Sequence, residues 1–162
     1  MSLNEKISVA QMSDNLKEVP PEQIGDVDII RACGMVGVQM PLGLSLWRLK
    51  YSGATREFPT VVDGLLTMVL SRFHRVDGLK TTYKVIRHWL DDMCHACHGR
   101  GYEVVPGTPM LSEKQCEHCG GQGRVKLPEP DDASLWLLDE IAKMERDVAS
   151  AIMVKLNTKL DL

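Results

Sequence analysis

No stretch of this 162-residue chain is long and apolar enough to suggest a membrane span, and the segment from Met1 to Lys17 is polar, without the apolar core of a secretory leader. The first absence removes a membrane from the expected partners. The second predicts reduced cysteines in a cytoplasmic protein, since disulfides persist in oxidising compartments. A large excess of charge of one sign is missing too. The formal net charge is −3, so any contact with nucleic acid must come from a local basic patch rather than an overall field. No nucleophile–base pair stands out, which leaves neither an enzyme nor a small-molecule substrate as the expectation. The length allows one domain of ordinary size or two small ones.

Against these absences stand four cysteines in two matched modules, Cys94-His95-Ala96-Cys97-His98-Gly99-Arg100-Gly101 and Cys116-Glu117-His118-Cys119-Gly120-Gly121-Gln122-Gly123. Each reads C-x-x-C-x-G-x-G, and eighteen residues separate Cys97 from Cys116. Four thiolates at this spacing suit one tetrahedral zinc, predicted to be held by Cys94, Cys97, Cys116 and Cys119. A C-x-x-C turn folds its backbone over the metal, where amides can point at the thiolates, and glycine tolerates the positive φ such turns need. A thioredoxin-like redox motif would be a single C-x-x-C within a βαβ unit. With four cysteines at hand, His95, His98 and His118 are expected at the surface. No acidic residue accompanies the cluster in a pattern that would leave an open coordination position with a general base, so the zinc is expected to be structural. The fifth cysteine, Cys33, lies in an apolar stretch and is expected to pack as a small hydrophobe.

The pattern along the chain predicts a mainly α protein, a helical domain with the zinc hairpin inserted in it. Residues 1–24 read as an N-terminal arm ending beyond Pro20-Pro21. Residues 25–93 read as helical: a short helix capped by Asp26 or Asp28 and interrupted by Gly34, Gly37 and Pro41, then one carrying Leu42, Leu46 and Leu49. A third helix, opened by Pro59, carries Val62, Leu65, Leu66, Val69 and Phe73. After the turn Arg75-Val76-Asp77-Gly78, a fourth is predicted from about Leu79 to Met93, with Leu79, Tyr83, Ile86 and Leu90 buried and Trp89 at the edge. Helix, short glycine-containing turn, helix is the layout of a helix-turn-helix unit. The hairpin occupies 94–125. In 126–162, Asp131 or Asp132 caps a long helix whose stripe of Leu137, Ile141, Met144, Val148 and Ile152 packs on the helical region.

Lys80, Lys84 and Arg87 recur at i, i+4 and i+7 on that fourth helix, with Thr81 beside them. Such a stripe is what a recognition helix needs, cations for phosphates and a guanidinium for guanine edges, so these four residues are the candidate DNA contacts. Any exposed helical face can carry three basic residues, and Asp91 and Asp92 temper this one. Arg72, His74, Arg75, Arg100 and Arg124 could extend the patch. Zinc hairpins of this spacing bind nucleic acids, contact proteins or staple a fold, and spacing does not choose among these.

The paired modules look like half of the cysteine-rich domain of DnaJ-type co-chaperones, which carries four such repeats. The His-Pro-Asp signature of a J-domain is missing here. With helical flanks, the same modules resemble the Q antitermination proteins of lambdoid phages. The segment Asp28-Ile29-Ile30-Arg31-Ala32-Cys33-Gly34-Met35, the glycine-rich stretch to Trp47 and the helix from Leu65 to Phe73 are also similar to that family. The resemblance covers most of the chain from about residue 25 and implies a transcription antitermination factor working in the host cytoplasm. It implies binding to a double-stranded DNA element at a late promoter and to host RNA polymerase with its sigma factor, suppression of pausing and readthrough of terminators, and no catalysis. A zinc-containing repressor or activator acting at initiation, and a DnaJ-like chaperone or thiol-exchange protein, are the alternatives.

Overall fold

Gly25 opens the first helix in extended backbone, and its amide donates to the carboxylate of Asp28 at 3.0 Å. Helix α1 (Asp26–Gln39) thus starts with two acidic residues in its first turn, where the positive end of the helix dipole favours them. The computed structural model describes residues 9–10, 24–105 and 107–160, with side chains described as far as residue 157. The arm at 1–24 lies almost wholly outside the described residues; Val9 and Ala10 are helical, and Ala10 is fully buried.

Gly34 and Gly37 do not interrupt α1, contrary to expectation. A methyl group on Gly37 would sit 2.7 Å from Cδ2 of Leu44, so the missing side chain is what lets the next helix fold back closely. That packing offsets the helix cost of glycine, about 1 kcal/mol relative to alanine. Helix α2 (Pro41–Tyr51) begins with its proline, and buries Leu44, Ser45, Leu46, Trp47 and Leu49. Its two sides serve two apolar clusters. Leu44 and Trp47 join Ile29, Ala32, Cys33 and Val36 of α1, while Leu46 and Leu49 join the residues that follow.

A single 3-10 turn (Thr55–Glu57) leads into helix α3 (Phe58–Arg72), which buries Val61, Val62, Leu65 and Val69. Helix α4 (Gly78–Leu90) is capped by Asp77, whose side chain accepts from the Lys80 amide at 3.0 Å. A small antiparallel pair follows, β1 (Tyr102–Val104) with β2 (Leu111–Gln115), Tyr102 facing Gln115 and Val104 facing Leu111.

Helix α5 (Asp132–Leu160) is entered through a reciprocal cap. The Asp131 carboxylate accepts from the Ser134 amide at 2.7 Å, and Ser134 Oγ accepts from the Asp131 amide at 3.0 Å. Leu137 and Ile141 pack into the cluster of α3, α4 and Leu46, whereas Val148, Ile152 and Leu156 pack into that of α1. One helix therefore spans both cores. Near its middle, Glu145 accepts from Tyr51 Oη at 2.9 Å and Trp89 Nε1 at 3.0 Å, with Lys50 Nζ at 3.6 Å. No helix among the described residues is long and apolar enough to cross a membrane.

Candidate metal centre and the face of the fourth helix

The four cysteines of the two modules come together, every Sγ within 4.8 Å of the others. The separations Cys94–Cys116 and Cys97–Cys119 are 4.0 and 3.7 Å. A disulfide needs about 2.05 Å, so these are free thiols. A tetrahedron of sulfurs about 2.3 Å from a central zinc has edges of about 3.8 Å, which is the spacing found. The group could hold a metal ion, and the donor set, four soft sulfurs without a carboxylate, is a closed one.

The two modules build this cage by an exchange of identical contacts. The Gly101 amide points at Cys97 Sγ at 3.3 Å, and the Gly123 amide at Cys119 Sγ at 3.2 Å. Across the cage, the Cys94 amide donates to the Gly123 carbonyl at 2.9 Å and the Cys116 amide to the Gly101 carbonyl at 2.8 Å. Gly101 and Gly123 have φ of 78° and 72°, and a methyl group on either would run into the carbonyl of Gly121 or Gly99 of the opposite module. The last glycine of each module is there because two backbones cross at that point.

Burial pushes the Cys97 thiol up, but the Gly101 amide and then the three neighbouring sulfurs outweigh it and leave the group lowered to about 7. Cys116 is pushed up to about 11: the Cys119 amide lowers it, while burial and the sulfurs of Cys119 and Cys97 prevail. Four thiols this close cannot all ionise against one another. A divalent cation among them removes that repulsion.

The cage is fastened to the end of α4. Met93 pairs with Arg124 in an antiparallel bridge, and the Val125 amide donates to the Asp92 carbonyl at 2.8 Å. Arg124 also reaches the Asp92 carboxylate at 2.7 Å. His95, His98 and His118 are all exposed, and His95 Nε2 lies 3.0 Å from Asp91.

Helix α4 is rotated by part of a turn from its expected orientation: Ile86 is buried as expected, and so is Trp89, expected at the edge. Thr81, Thr82, Val85, Ile86 and Trp89 are buried, while Leu79, Tyr83 and Leu90 are 49, 42 and 38% exposed. The cause lies outside the helix: α3 and α5 take the side that offers Trp89 to Glu145. The four candidate DNA contacts are placed differently from one another. Thr81 is buried. Lys84 is tied down, its Nζ donating to the Glu129 carbonyl at 2.9 Å and to Asp131 at 3.1 Å, so it clamps the strap that leads into α5. Lys80 and Arg87 remain exposed, on the same stripe as Tyr83. Arg72 lies over the rings of Trp136 and Phe73, at 5.0 and 5.9 Å.

Comparison of the chain with protein-family models, curated proteins and solved structures finds no match.

Proposed function

We propose that this chain is a transcription antitermination factor of the lambdoid Q type, similar in length and sequence to the Q protein of phage 21. It would bind DNA near a late promoter and remain with host RNA polymerase through pauses and terminators. The observation that carries this reading is the pair of C-x-x-C-x-G-x-G modules folding into one four-thiol cluster on a helical bundle, the combination in which the sequence resembles that family. Zinc is the proposed occupant, because four thiolates at tetrahedral spacing suit it and leave no position open for a substrate. Its role is to hold the hairpin, through Cys94, Cys97, Cys116 and Cys119. Lys80 and Arg87 are the proposed DNA contacts on α4, with Arg75 and His74, both exposed, at the turn before it. Regulation proceeds without turnover.

Transcription by purified polymerase tests the reading, on a template with the cognate late promoter followed by an intrinsic terminator. Addition of the protein raises readthrough, and Arg87→Ala lowers the effect by about tenfold at limiting protein if that guanidinium reads a base. Readthrough that stays basal while the protein occupies the DNA and changes only initiation would replace this function with that of a repressor or activator.

A further inference from the structure

Beside the cysteine cage lies an open cleft of about 470 Å³, whose floor is formed by Cys97 and Cys116. Its walls carry three planar side chains, His98, Tyr102 and His118, and the guanidinium of Arg100. None of these four side chains makes a hydrogen bond or ion pair within the described residues, and Tyr102 is 36% exposed. The two carboxylates at the rim share one ammonium, which leaves one negative charge there. Lys114 Nζ lies 2.9 Å from Glu103 and 3.2 Å from Glu117. What the cleft offers a ligand is ring faces, imidazole edges and the guanidinium of Arg100.

We infer that this cleft binds single-stranded nucleic acid, one base stacking on Tyr102 between the two imidazoles and the adjoining phosphate pairing with Arg100. Unpaired bases have free π-faces and a flexible backbone, and aromatic platforms beside a cation take them with little regard to sequence. A duplex keeps its ring faces stacked inside and has none to offer. The volume falls within the about 300–1,000 Å³ of clefts that enclose small ligands, enough for a nucleotide unit and not for a helix. The site lies on the hairpin, apart from Lys80 and Arg87 on α4, and does not depend on the antitermination reading. Because one guanidinium meets one phosphate, affinity falls only weakly with salt, with a log–log slope of about −0.7.

The test is a titration of the full, zinc-loaded chain, labelled with nitrogen-15, with a short single-stranded oligothymidylate. The expected result is saturable movement of the amide signals of His98 to Val104 and of His118, and none there with a duplex of the same strand. Tyr102→Phe keeps the ring and binds as the parent does, while Tyr102→Leu weakens binding by about tenfold, as loss of one stacked base requires. Arg100→Gln, at an exposed position outside the strands, weakens it while keeping the four cysteines in place, and abolishes the salt slope. Cleft signals that stay still, that move equally with duplex, or that titrate alike in Arg100→Gln and the parent overturn the inference.

Discussion

Gly101 and Gly123 stand where two stretches of backbone cross, and the two glycines face each other's modules in the same way. An alanine at Gly101 meets two penalties, the left-handed backbone and the Gly121 carbonyl. Gly120, in the other knuckle, has φ of 59° and open space where its side chain would be, and so isolates the first penalty. The left-handed conformation costs a non-glycine residue about 1–2 kcal/mol. Gly120→Ala is therefore expected to lower zinc affinity modestly, and Gly101→Ala by at least about a further tenfold, the equivalent of 1.4 kcal/mol. Competition with a chromophoric chelator reads both. At this scale the sequence is most legible at the cage, because ligand spacing and glycine positions are local chemistry repeated twice. It is least legible at Lys84, whose partners Glu129 and Asp131 stand dozens of positions further on.

Helix α4 illustrates why the element scale is harder. Its apolar residues form one broad arc, with Leu79, Tyr83 and Leu90 towards one side of it and Val85 and Trp89 towards the other, so counting them does not choose which part of the arc is buried. The buried part packs Val85, Ile86 and Trp89 with Leu137 and Ile141 of α5, and Glu145 on the same helix takes hydrogen bonds from α2 and α4 together. Hydrogen bonds to a charged acceptor contribute about 1.5–3 kcal/mol each. Glu145→Ala leaves Tyr51 and Trp89 without their acceptor and is expected to cost about 3 kcal/mol, whereas Glu145→Gln keeps an acceptor and costs less. Urea melts of the zinc-loaded protein give both values. The same contact sets an alkaline limit. Burial first, then the hydrogen bond and charge of Glu145, push the Tyr51 phenol up to about 12 from its ordinary 10. The folded state thus holds this proton more tightly than the unfolded chain. The contribution is complete below pH about 10 and is lost as pH rises towards 12, so stability falls through that interval, and Tyr51→Phe flattens the fall. Helix boundaries, by contrast, are legible from Pro41, Pro59, Asp77 and Asp131, residues whose effect is confined to one turn. Gly37 misleads because its reason for being glycine is Leu44, a packing contact.

Among the described residues the buried apolar side chains form three clusters, two in the helical bundle and one around the cysteines, the last joined by Val125. The bundle groups share α2 and α5, whose length of about 43 Å at 1.5 Å per residue reaches across both. The cysteine group shares no buried side chain with either. Stripping the metal is therefore expected to unfold the hairpin alone. Circular dichroism of the helices changes little, while hydrogen exchange at 94–125 rises to that of an open segment. A loss of helical signal in step with zinc release would show that the cage supports the bundle. Much of this division is visible in the sequence, since the modules are bounded by the ends of two helical patterns. The two-sided burial of α2 is not, because it depends on α5 returning over it.

The paired strands at Met93 and Arg124 bring the entry and exit of the whole hairpin side by side. Two chain ends held about 5 Å apart are the take-off points of an ordinary hairpin turn. The cage is thus a cassette: a two-residue Asn-Gly link could replace everything between those residues while the bundle keeps its register, and a different hairpin could be set in the same place. A host fold that meets its insert at one short junction can exchange the insert without renegotiating its own core, which gives this bundle a socket in the place of a loop.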